Sequence, residues 1–171
     1  IAYKYIFKDL SLRIADEITE LERLTGRKFG DPGNPLLLSV RSGATISLPG
    51  MMHSFLNVGI NEAIAEGLGR KRHYRWAAWD SYRRFLQPWG MFKGLERNVF
   101  DEIINNFKQQ YNVTRKIQFN PEQMKQLALS YKEAMRRRNM EIPDDPAEQL
   151  QETILQVFGS WYSEQAKTYR H

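Results

Sequence analysis

Apolar residues recur every three or four positions along most of the chain, which is the spacing of one face of an α-helix. Five segments show this pattern, and residues 74–86 show it most strongly. The predicted apolar faces are Leu10, Ile14, Ile18, Leu21 and Leu24; Trp76, Ala78, Trp79, Tyr82, Phe85 and Trp89; Phe100, Ile104, Phe107 and Tyr111; Met124, Leu127, Tyr131 and Met135; and Leu150, Ile154, Val157 and Trp161.

Two of these helices carry the same start signal. Asn120 and Asp145 each precede a proline, so that a capping side chain stands before proline at the first helical position. Gln123 and Glu148 follow three residues after their caps, as a capping box requires. Both helices are therefore predicted to begin at their prolines.

The first helix has less distinct limits. Asp9 or Ser11 is predicted to cap its start, and Gly26 stands where a glycine commonly ends a helix. A turn-rich loop over residues 27–35 follows, with Asp-Pro-Gly-Asn-Pro at its centre.

A short apolar run at residues 36–40, bounded by breakers, is the best strand candidate. Residues 51–58 and 61–68 are predicted to be short helices. The fold class is therefore mainly α, with six or seven helices and one or two short strands. Because one strand cannot form a sheet alone, this strand either pairs with the ends of the chain or has partners outside it.

Composition narrows the class of protein. The chain has 171 residues, 42% of them hydrophobic, which is enough for a sizeable core and argues against general disorder. No apolar run approaches the roughly 20 residues of a membrane span, and no signal peptide opens the chain. These observations predict a soluble, cytoplasmic protein with no membrane partner. The chain opens at Ile1 without an initiator methionine, which suggests a piece of a longer protein or a processed start.

The residue counts also limit the chemistry. Cysteine is absent, which excludes disulfides, thiolate zinc sites and cysteine nucleophiles. Three histidines make a mostly histidine metal site hard to build. The formal charge of +5 permits an anionic ligand but does not require nucleic acid.

Residues 39–52 carry the most informative chemistry. The predicted strand ends at Arg41, and a loop rich in glycine, alanine, serine and threonine follows. Small residues let the backbone approach a ligand, consecutive amides line an anion-binding concavity, and the guanidinium fork suits phosphate oxygens. The Walker A and G-x-G-x-x-G spacings are absent. The segment is thus either a polyphosphate cradle or a surface loop whose arginine pairs with a carboxylate.

Other features favour structural interpretations. His53 is a phosphate ligand, a proton donor or simply a half-buried, hydrogen-bonded residue, and His73 belongs to a solvated basic turn. The basic runs at residues 70–72 and 136–138 are also found in nucleic-acid binders. However, acidic neighbours dilute both runs, and the second lies at a helix C-terminus. No nucleic-acid partner is therefore expected. A helical protein-interaction module remains an alternative, although the aromatic stripe at residues 76–85 has the spacing of a core.

The loop and its flanks closely resemble the nucleotide-binding domain of the pyruvate, phosphate dikinases. The resemblance is carried by Leu-Leu-Ser-Val-Arg-Ser-Gly-Ala at residues 37–44, Leu-Pro-Gly-Met-Met at 48–52 and Leu-Asn-Val-Gly-Ile-Asn at 56–61. The segments at residues 24–31, 80–87, 131–132 and 157–161 follow in the family's order. The resemblance therefore covers nearly the whole chain.

This resemblance implies an ATP-grasp-like nucleotide domain that acts with ATP and Mg²⁺. Such a domain passes phosphoryl groups to a histidine on a separate phosphohistidine domain, and a pyruvate-binding domain then receives them. Arg41 matches the arginine that holds the ATP phosphates and is the expected catalytic residue. The loop that folds over the phosphates supplies the other expected nucleotide-binding residues. They are Ser42, Gly43, Ala44, Thr45, Ser47, Gly50, Met51, Met52 and His53.

The chain also departs from the family pattern. His53-Ser54 stands where Asp-Thr is usual, and Gln165-Ala166 stands where Arg-Ala is usual. The first change replaces a carboxylate suited to a magnesium site or to pairing with a base, and the second removes a positive charge of the phosphate region. Both keep open the alternative of a diverged, non-catalytic paralogue.

The resemblance further implies an incomplete domain. The family's nucleotide-binding lysine and its magnesium-holding strands fall outside this chain, and its phosphohistidine motif does not occur here. The isolated chain is therefore expected to be inactive. Residues 1–60 are predicted to form the strand and phosphate-loop region, and residues 61–171 a helical subdomain. Homodimerisation remains open.

Overall fold

The structure is a computed structural model that describes residues 2–41, 54–71 and 73–160. About two thirds of these residues are helical, which confirms the mainly α prediction. The helices are α1 (Ala2–Thr25), α2 (Glu62–Gly69), α3 (Arg75–Phe92), α4 (Arg97–Gln110), α5 (Pro121–Arg136) and α6 (Pro146–Ser160). Short strands β1 (Lys28–Phe29), β2 (Pro35–Leu36), β3 (Leu38–Val40) and β4 (Phe55–Val58) and a 3₁₀ turn at Lys116–Gln118 complete the described elements.

The core is centred on the packing of α3 against α5. The apolar faces predicted for these two helices are buried, and only Trp76 among them remains half-buried. Phe100 of α4 joins this core, where its ring lies 4.8 Å from that of Tyr131 on α5. Gly90 of α3 permits this contact, because a Cβ there would lie 2.7 Å from the Phe100 ring.

The predicted helix starts at Pro121 and Pro146 are confirmed. The Asn120 side chain accepts from the Gln123 amide, and the Gln123 side chain accepts from the Asn120 amide, both at 2.9 Å. At α6 the Asp145 carboxylate accepts from the amide of Ala147 at 2.9 Å. Local side-chain chemistry thus determines where both helices begin.

The start predicted for the first helix is wrong. Helix α1 begins at Ala2 rather than beside Asp9 or Ser11, since no glycine or proline interrupts residues 2–25. Its predicted end is confirmed, because Gly26 has φ +65° and its amide donates to the carbonyl of Glu22 at 2.9 Å.

Helix α3 extends further than the pattern predicted. It continues from Arg75 to Phe92 through Pro88, which lacks an amide hydrogen and usually ends a helix. Phe85, Leu86 and Trp89 on either side of Pro88 are fully buried. Tertiary packing on both sides therefore outweighs the local cost of the proline.

The strand predicted at residues 36–40 is confirmed, but these residues belong to two short strands, β2 and β3. Strand β2 pairs in parallel with β1, whereas β3 pairs antiparallel with β4. The helix predicted over residues 51–58 is wrong at its described end, because Phe55–Val58 is the strand partner of β3. Phe55 and Val58 are both fully buried, and their pairing with β3 satisfies backbone groups that a short helix would have satisfied internally.

None of the helices in the described part of the chain is both long and apolar enough to cross a membrane.

Candidate functional site

The candidate site lies on the hairpin formed by β3 and β4, at the end where Val40 pairs with Phe55. Leu38 pairs with Val58 and Val40 pairs with Phe55, with a register shift between the two pairs. Arg41 follows Val40 directly, and Ser54 precedes Phe55, so both residues lie at the same end of the hairpin. The Arg41 side chain is exposed to solvent at this end. It is therefore accessible to an anionic ligand.

Strand β4 packs firmly against the helical core. Phe55 is fully buried, and its ring contacts Trp89 and Phe92 of α3 edge-to-face, at centroid distances of 6.2 and 6.5 Å. Such aromatic pairs contribute about 0.5–1.5 kcal/mol beyond their buried area. Phe55, the strand partner of Val40, is thus held in the centre of the core, and Val40 directly precedes Arg41.

Asparagine side chains anchor the end of β4 and the turn that follows it. Asn57 has φ +60°, and its side chain donates to the carbonyl of Ser81 on α3 at 3.2 Å. Asn61 caps α2 by accepting from the Ile64 amide at 2.9 Å, and it also donates to the carbonyl of Asp144 at 2.8 Å. The family-like segment at residues 56–61 is therefore an anchor for the hairpin.

Gln149 of α6 forms a third anchor on the same turn. Its side chain is fully buried, accepts from the amide of Gly59 at 3.1 Å and donates to the carbonyl of Ile60 at 3.1 Å. A second donor bond reaches the carbonyl of Pro143 at 2.8 Å. Sequence reasoning missed this residue, because 89 or more positions separate it from Gly59 and Ile60 and no local motif marks the contact.

The structure tests only part of the predicted site. Among the predicted site residues, Arg41 is described, at the end of β3. The loop residues predicted to join it lie outside the described residues; they are Ser42, Gly43, Ala44, Thr45, Ser47, Gly50, Met51, Met52 and His53.

The basic run at residues 136–138 is engaged within its own helix. Arg136 and Arg137 both bond to Glu133, which lowers the pKa of that carboxyl to about 2 through the hydrogen bond from Arg136 and then that from Arg137. Arg138 donates to the carbonyl of Ala134 at 3.0 Å, as expected for a cation at a helix C-terminus. His73 is exposed, in agreement with its prediction as part of a solvated turn.

A buried ionic cluster centred on Asp80 was not predicted. Arg83 donates to Asp80 at 2.8 Å, and Lys116 donates to both carboxylate oxygens at 2.7 and 2.9 Å. Burial acts to raise the pKa of Asp80, but the hydrogen bond from Lys116 and the charge of Arg83 outweigh it, and the pKa lies below its ordinary value. The i,i+3 spacing of Asp80 and Arg83 was the one available signal. Lys116 lies 36 positions away.

A second cluster joins α2 to α5. Lys132 contacts Glu62 at 2.7 Å and Asp144 at 3.6 Å. Burial raises the pKa of the neighbouring Tyr82 hydroxyl to about 12. Both lysines, Lys116 and Lys132, are thus paired with carboxylates. No group of three or more histidine, aspartate or glutamate side chains arranged for a metal ion occurs in the described parts of the chain.

Comparison with known proteins gives a consistent result. A family model for the pyruvate phosphate dikinase AMP/ATP-binding domain matches residues 4–171. The pyruvate, phosphate dikinase of Rhizobium meliloti is 40% identical over 161 residues, which cover 93% of this chain and 18% of that protein.

Two further relatives agree. Pyruvate, phosphate dikinase 1, chloroplastic, of Zea mays is 40% identical over 92% of this chain and 17% of its own length. The pyruvate, phosphate dikinase of Clostridium symbiosum is 39% identical over 98% of this chain and 20% of its own length. The chain therefore spans about a fifth of the length of the curated relatives it matches. On this evidence the chain belongs to the pyruvate phosphate dikinase AMP/ATP-binding domain family.

Proposed function

We propose that this chain is part of the ATP-binding domain of a pyruvate, phosphate dikinase-like phosphotransferase. In this proposal the domain passes phosphoryl groups from ATP to a histidine on another domain, and from there they reach pyruvate. The overall reaction converts pyruvate, ATP and phosphate reversibly to phosphoenolpyruvate, AMP and pyrophosphate. The observation that carries the proposal is the position of Arg41, exposed directly after Val40, whose strand partner Phe55 is buried in the core; the segment of small residues follows it in the sequence.

Arg41 suits the phosphates of ATP by its chemistry. Its guanidinium is permanently charged and presents a planar set of donors that matches phosphate oxygens in pairs. Phosphoryl transfer depends chiefly on positioning and on stabilisation of the phosphate charge, and a hairpin held by the core supplies a fixed base for such a contact. The proposed role of Arg41 is therefore to bind and orient the polyphosphate.

The loop residues share this role in the proposal. Ser42, Thr45 and Ser47 offer hydroxyl donors, and the glycines at 43 and 50 let the backbone approach the phosphates closely. Ala44, Met51, Met52 and His53 complete the loop that folds over them. The assignment of these residues stays a prediction.

Magnesium would supply charge neutralisation of the phosphates. Residues 10–41, 54–71 and 73–160 contain no group of three or more carboxylates or imidazoles arranged for a metal ion. We assign no step to the metal within this part of the chain.

The organisation of the whole protein follows from the same proposal. Residues 1–60 would handle the phosphates and residues 61–171 would support them, while separate phosphohistidine and pyruvate-binding domains would complete the reaction. A cytoplasmic location and a homodimer also stay predictions. Several relatives are named chloroplastic enzymes, which bears on location but does not decide it here. Membership of the dikinase family favours the phosphotransferase over a helical interaction module.

Replacing Arg41 tests the proposal directly. In the full-length protein that contains this chain, Arg41→Ala should strongly reduce phosphorylation of the histidine by ATP. Loss of a charge-assisted contact costs about 1.5–3 kcal/mol, and more if the contact tightens in the transition state. The half-reaction with pyruvate should remain largely intact. Arg41→Lys should restore activity only in part, because an ammonium lacks the planar fork.

A matched control separates binding from stability. Arg97 of α4 is also an exposed arginine, and Arg97→Ala should leave both half-reactions unchanged. Thermal stability is measured on the same preparations. Normal ATP kinetics in a well-folded Arg41→Ala protein would show that Arg41 does not bind the phosphates. The family membership would stand, but the proposed function would lose the observation that carries it.

A further inference from the structure

Gln149 occupies a junction that the proposed function does not use. Its fully buried amide group lies where β4 ends and the chain turns toward α2. It satisfies the amide of Gly59 and the carbonyl of Ile60, two backbone groups just beyond the strand ladder. Both amide hydrogens of the side chain are engaged, since the second bonds to the carbonyl of Pro143 at 2.8 Å.

The hairpin ladder alone specifies its register weakly. It contains two registered pairs, Leu38 with Val58 and Val40 with Phe55, and a shift lies between them. A slip of one residue would move every side chain of the strand to the opposite face. Burial of Phe55 and Val58 opposes such a slip. The bonds from Gln149 add a second constraint, on backbone groups just beyond the paired end of β4.

This anchor is linked to Arg41 by a short path along β4 and across its pairing with β3. Strand β4 directly precedes Gly59, and its first residue, Phe55, pairs with Val40. Arg41 follows Val40 in the sequence. The path from Gly59 to Phe55 spans four residues and is at most about 14 Å long. Phe55 is fully buried among aromatic rings, and Gln149 bonds just beyond the other end of the strand, so these two contacts together fix β4 at both of its ends.

We propose that Gln149 is a positioning residue for phosphoryl transfer, which acts by fixing the register of β4 and so the placement of Arg41. This inference rests on the proposed function. Gln149 touches no substrate in this proposal. Its effect reaches the phosphates through the hairpin.

The test uses the full-length protein that contains this chain. Gln149→Ala, which removes three hydrogen bonds, is compared with Tyr131→Phe, which removes one buried hydrogen bond, from the Tyr131 hydroxyl to the carbonyl of Phe100 at the interface of α5 and α4. The readout is the rate of histidine phosphorylation at saturating ATP, with thermal stability measured on the same preparations. Hydrogen exchange of β3 and β4 is measured in parallel.

The expected result is a loss specific to the ATP half-reaction. Gln149→Ala should slow phosphorylation by about 10- to 100-fold, as a displacement of about 1 Å does elsewhere, and should leave the KM for pyruvate unchanged. Exchange of β3 and β4 should become faster. Tyr131→Phe should lower the thermal stability but leave the transfer rate and the exchange of the hairpin unchanged.

Other outcomes separate this inference from the function on which it rests. If Gln149→Ala folds and transfers phosphate like Tyr131→Phe, while Arg41→Ala is impaired, the positioning role is overturned and the proposed function stands. If Arg41→Ala is also unimpaired, both fail. Should Gln149→Ala not fold, Gln149→Met preserves the volume without the hydrogen bonds and replaces it. Failure of both variants to fold would assign Gln149 to stability alone and overturn the inference.

Discussion

Gly59 shows how a single residue without a side chain shapes the turn behind the candidate site. Its φ of +95° lies in the region that other residues rarely adopt, and a Cβ there would lie 2.5 Å from Cε2 of Phe29. Gly94 has nearly the same φ, +97°, but has no atom within 4 Å of its Cβ position. A side chain at Gly94 would therefore meet only backbone strain, whereas one at Gly59 would meet both backbone strain and a steric conflict with Phe29.

We expect Gly59→Ala to destabilise the protein more than Gly94→Ala. Gly94→Ala should cost about 1–2 kcal/mol of unfolding free energy, for the backbone conformation alone. Gly59→Ala should cost a further 1–3 kcal/mol or so for overpacking against Phe29. Urea denaturation measures both values. Equal losses would show that Phe29 moves aside at no cost. Shortening its side chain with Phe29→Leu should recover part of the Gly59→Ala loss.

At the scale of elements, Asp80 links three parts of the fold. It lies on α3 and bonds to Arg83 of the same helix and to Lys116 of the 3₁₀ turn before α5. Arg83 in turn lies 5.7 Å from the ring centroid of Tyr131 on α5, and Lys116 lies 5.4 Å from that of Trp76. Removal of the carboxylate charge would leave two cations without their partner near the α3–α5 interface.

We expect Asp80→Asn to cost about 3 kcal/mol at neutral pH, the lower end of the range for breaking a buried ion pair, because Lys116 is partly exposed. The pKa of Asp80 is lower in the folded than in the unfolded protein. Its contribution is therefore fully present above its ordinary pKa of 3.8 and is lost as the pH falls below that value through the folded pKa.

The difference in urea stability between the parent and Asp80→Asn should accordingly be constant near neutral pH and shrink below about pH 4. Comparing the two proteins cancels the titration of the other carboxylates. A difference that stays constant down to pH 2.5 or so would show that the charge of Asp80 does not stabilise the fold.

At the scale of the whole molecule, the described helices differ in how deeply they are packed. The apolar face of α1 meets the rest of the protein through half-buried Ile14 and Ile18, which line a cavity of about 90 Å³ against α6. Leu12 and Leu24 of α1 are 60% and 64% exposed. The faces of α3 and α5 are almost fully buried by comparison.

We expect the amides of α1 between residues 12 and 25 to exchange with deuterium faster than those of α3 and α5, because local opening there exposes little buried apolar surface. Hydrogen exchange followed by mass spectrometry compares the three helices in one sample of the 171-residue chain. Ile18→Ala should accelerate exchange in α1 and leave α3 unchanged. Equal protection of α1 and α5 would contradict this interpretation of the packing.

The sequence by itself determined the features that depend on neighbouring residues. The capping box at Asn120 and Gln123 satisfies the helix end within four positions, so residue types alone predicted where α5 begins. Gly26 ended α1, and the apolar spacing identified the faces that form the α3–α5 core. The family-like segments around Arg41 identified the candidate phosphate contact, because their residue types and order are specific.

Only the tertiary structure decided the features that depend on distant partners. Residues 55–58 became a strand because β3 offers them backbone hydrogen bonds and the core buries Phe55, although their sequence alone permitted a helix. The same packing carried α3 through Pro88. Asp80 with Lys116, and Gln149 with Gly59, are joined across 36 and 90 positions. No local pattern encodes such pairs, because their free energy arises only when the folded chain removes both partners from water.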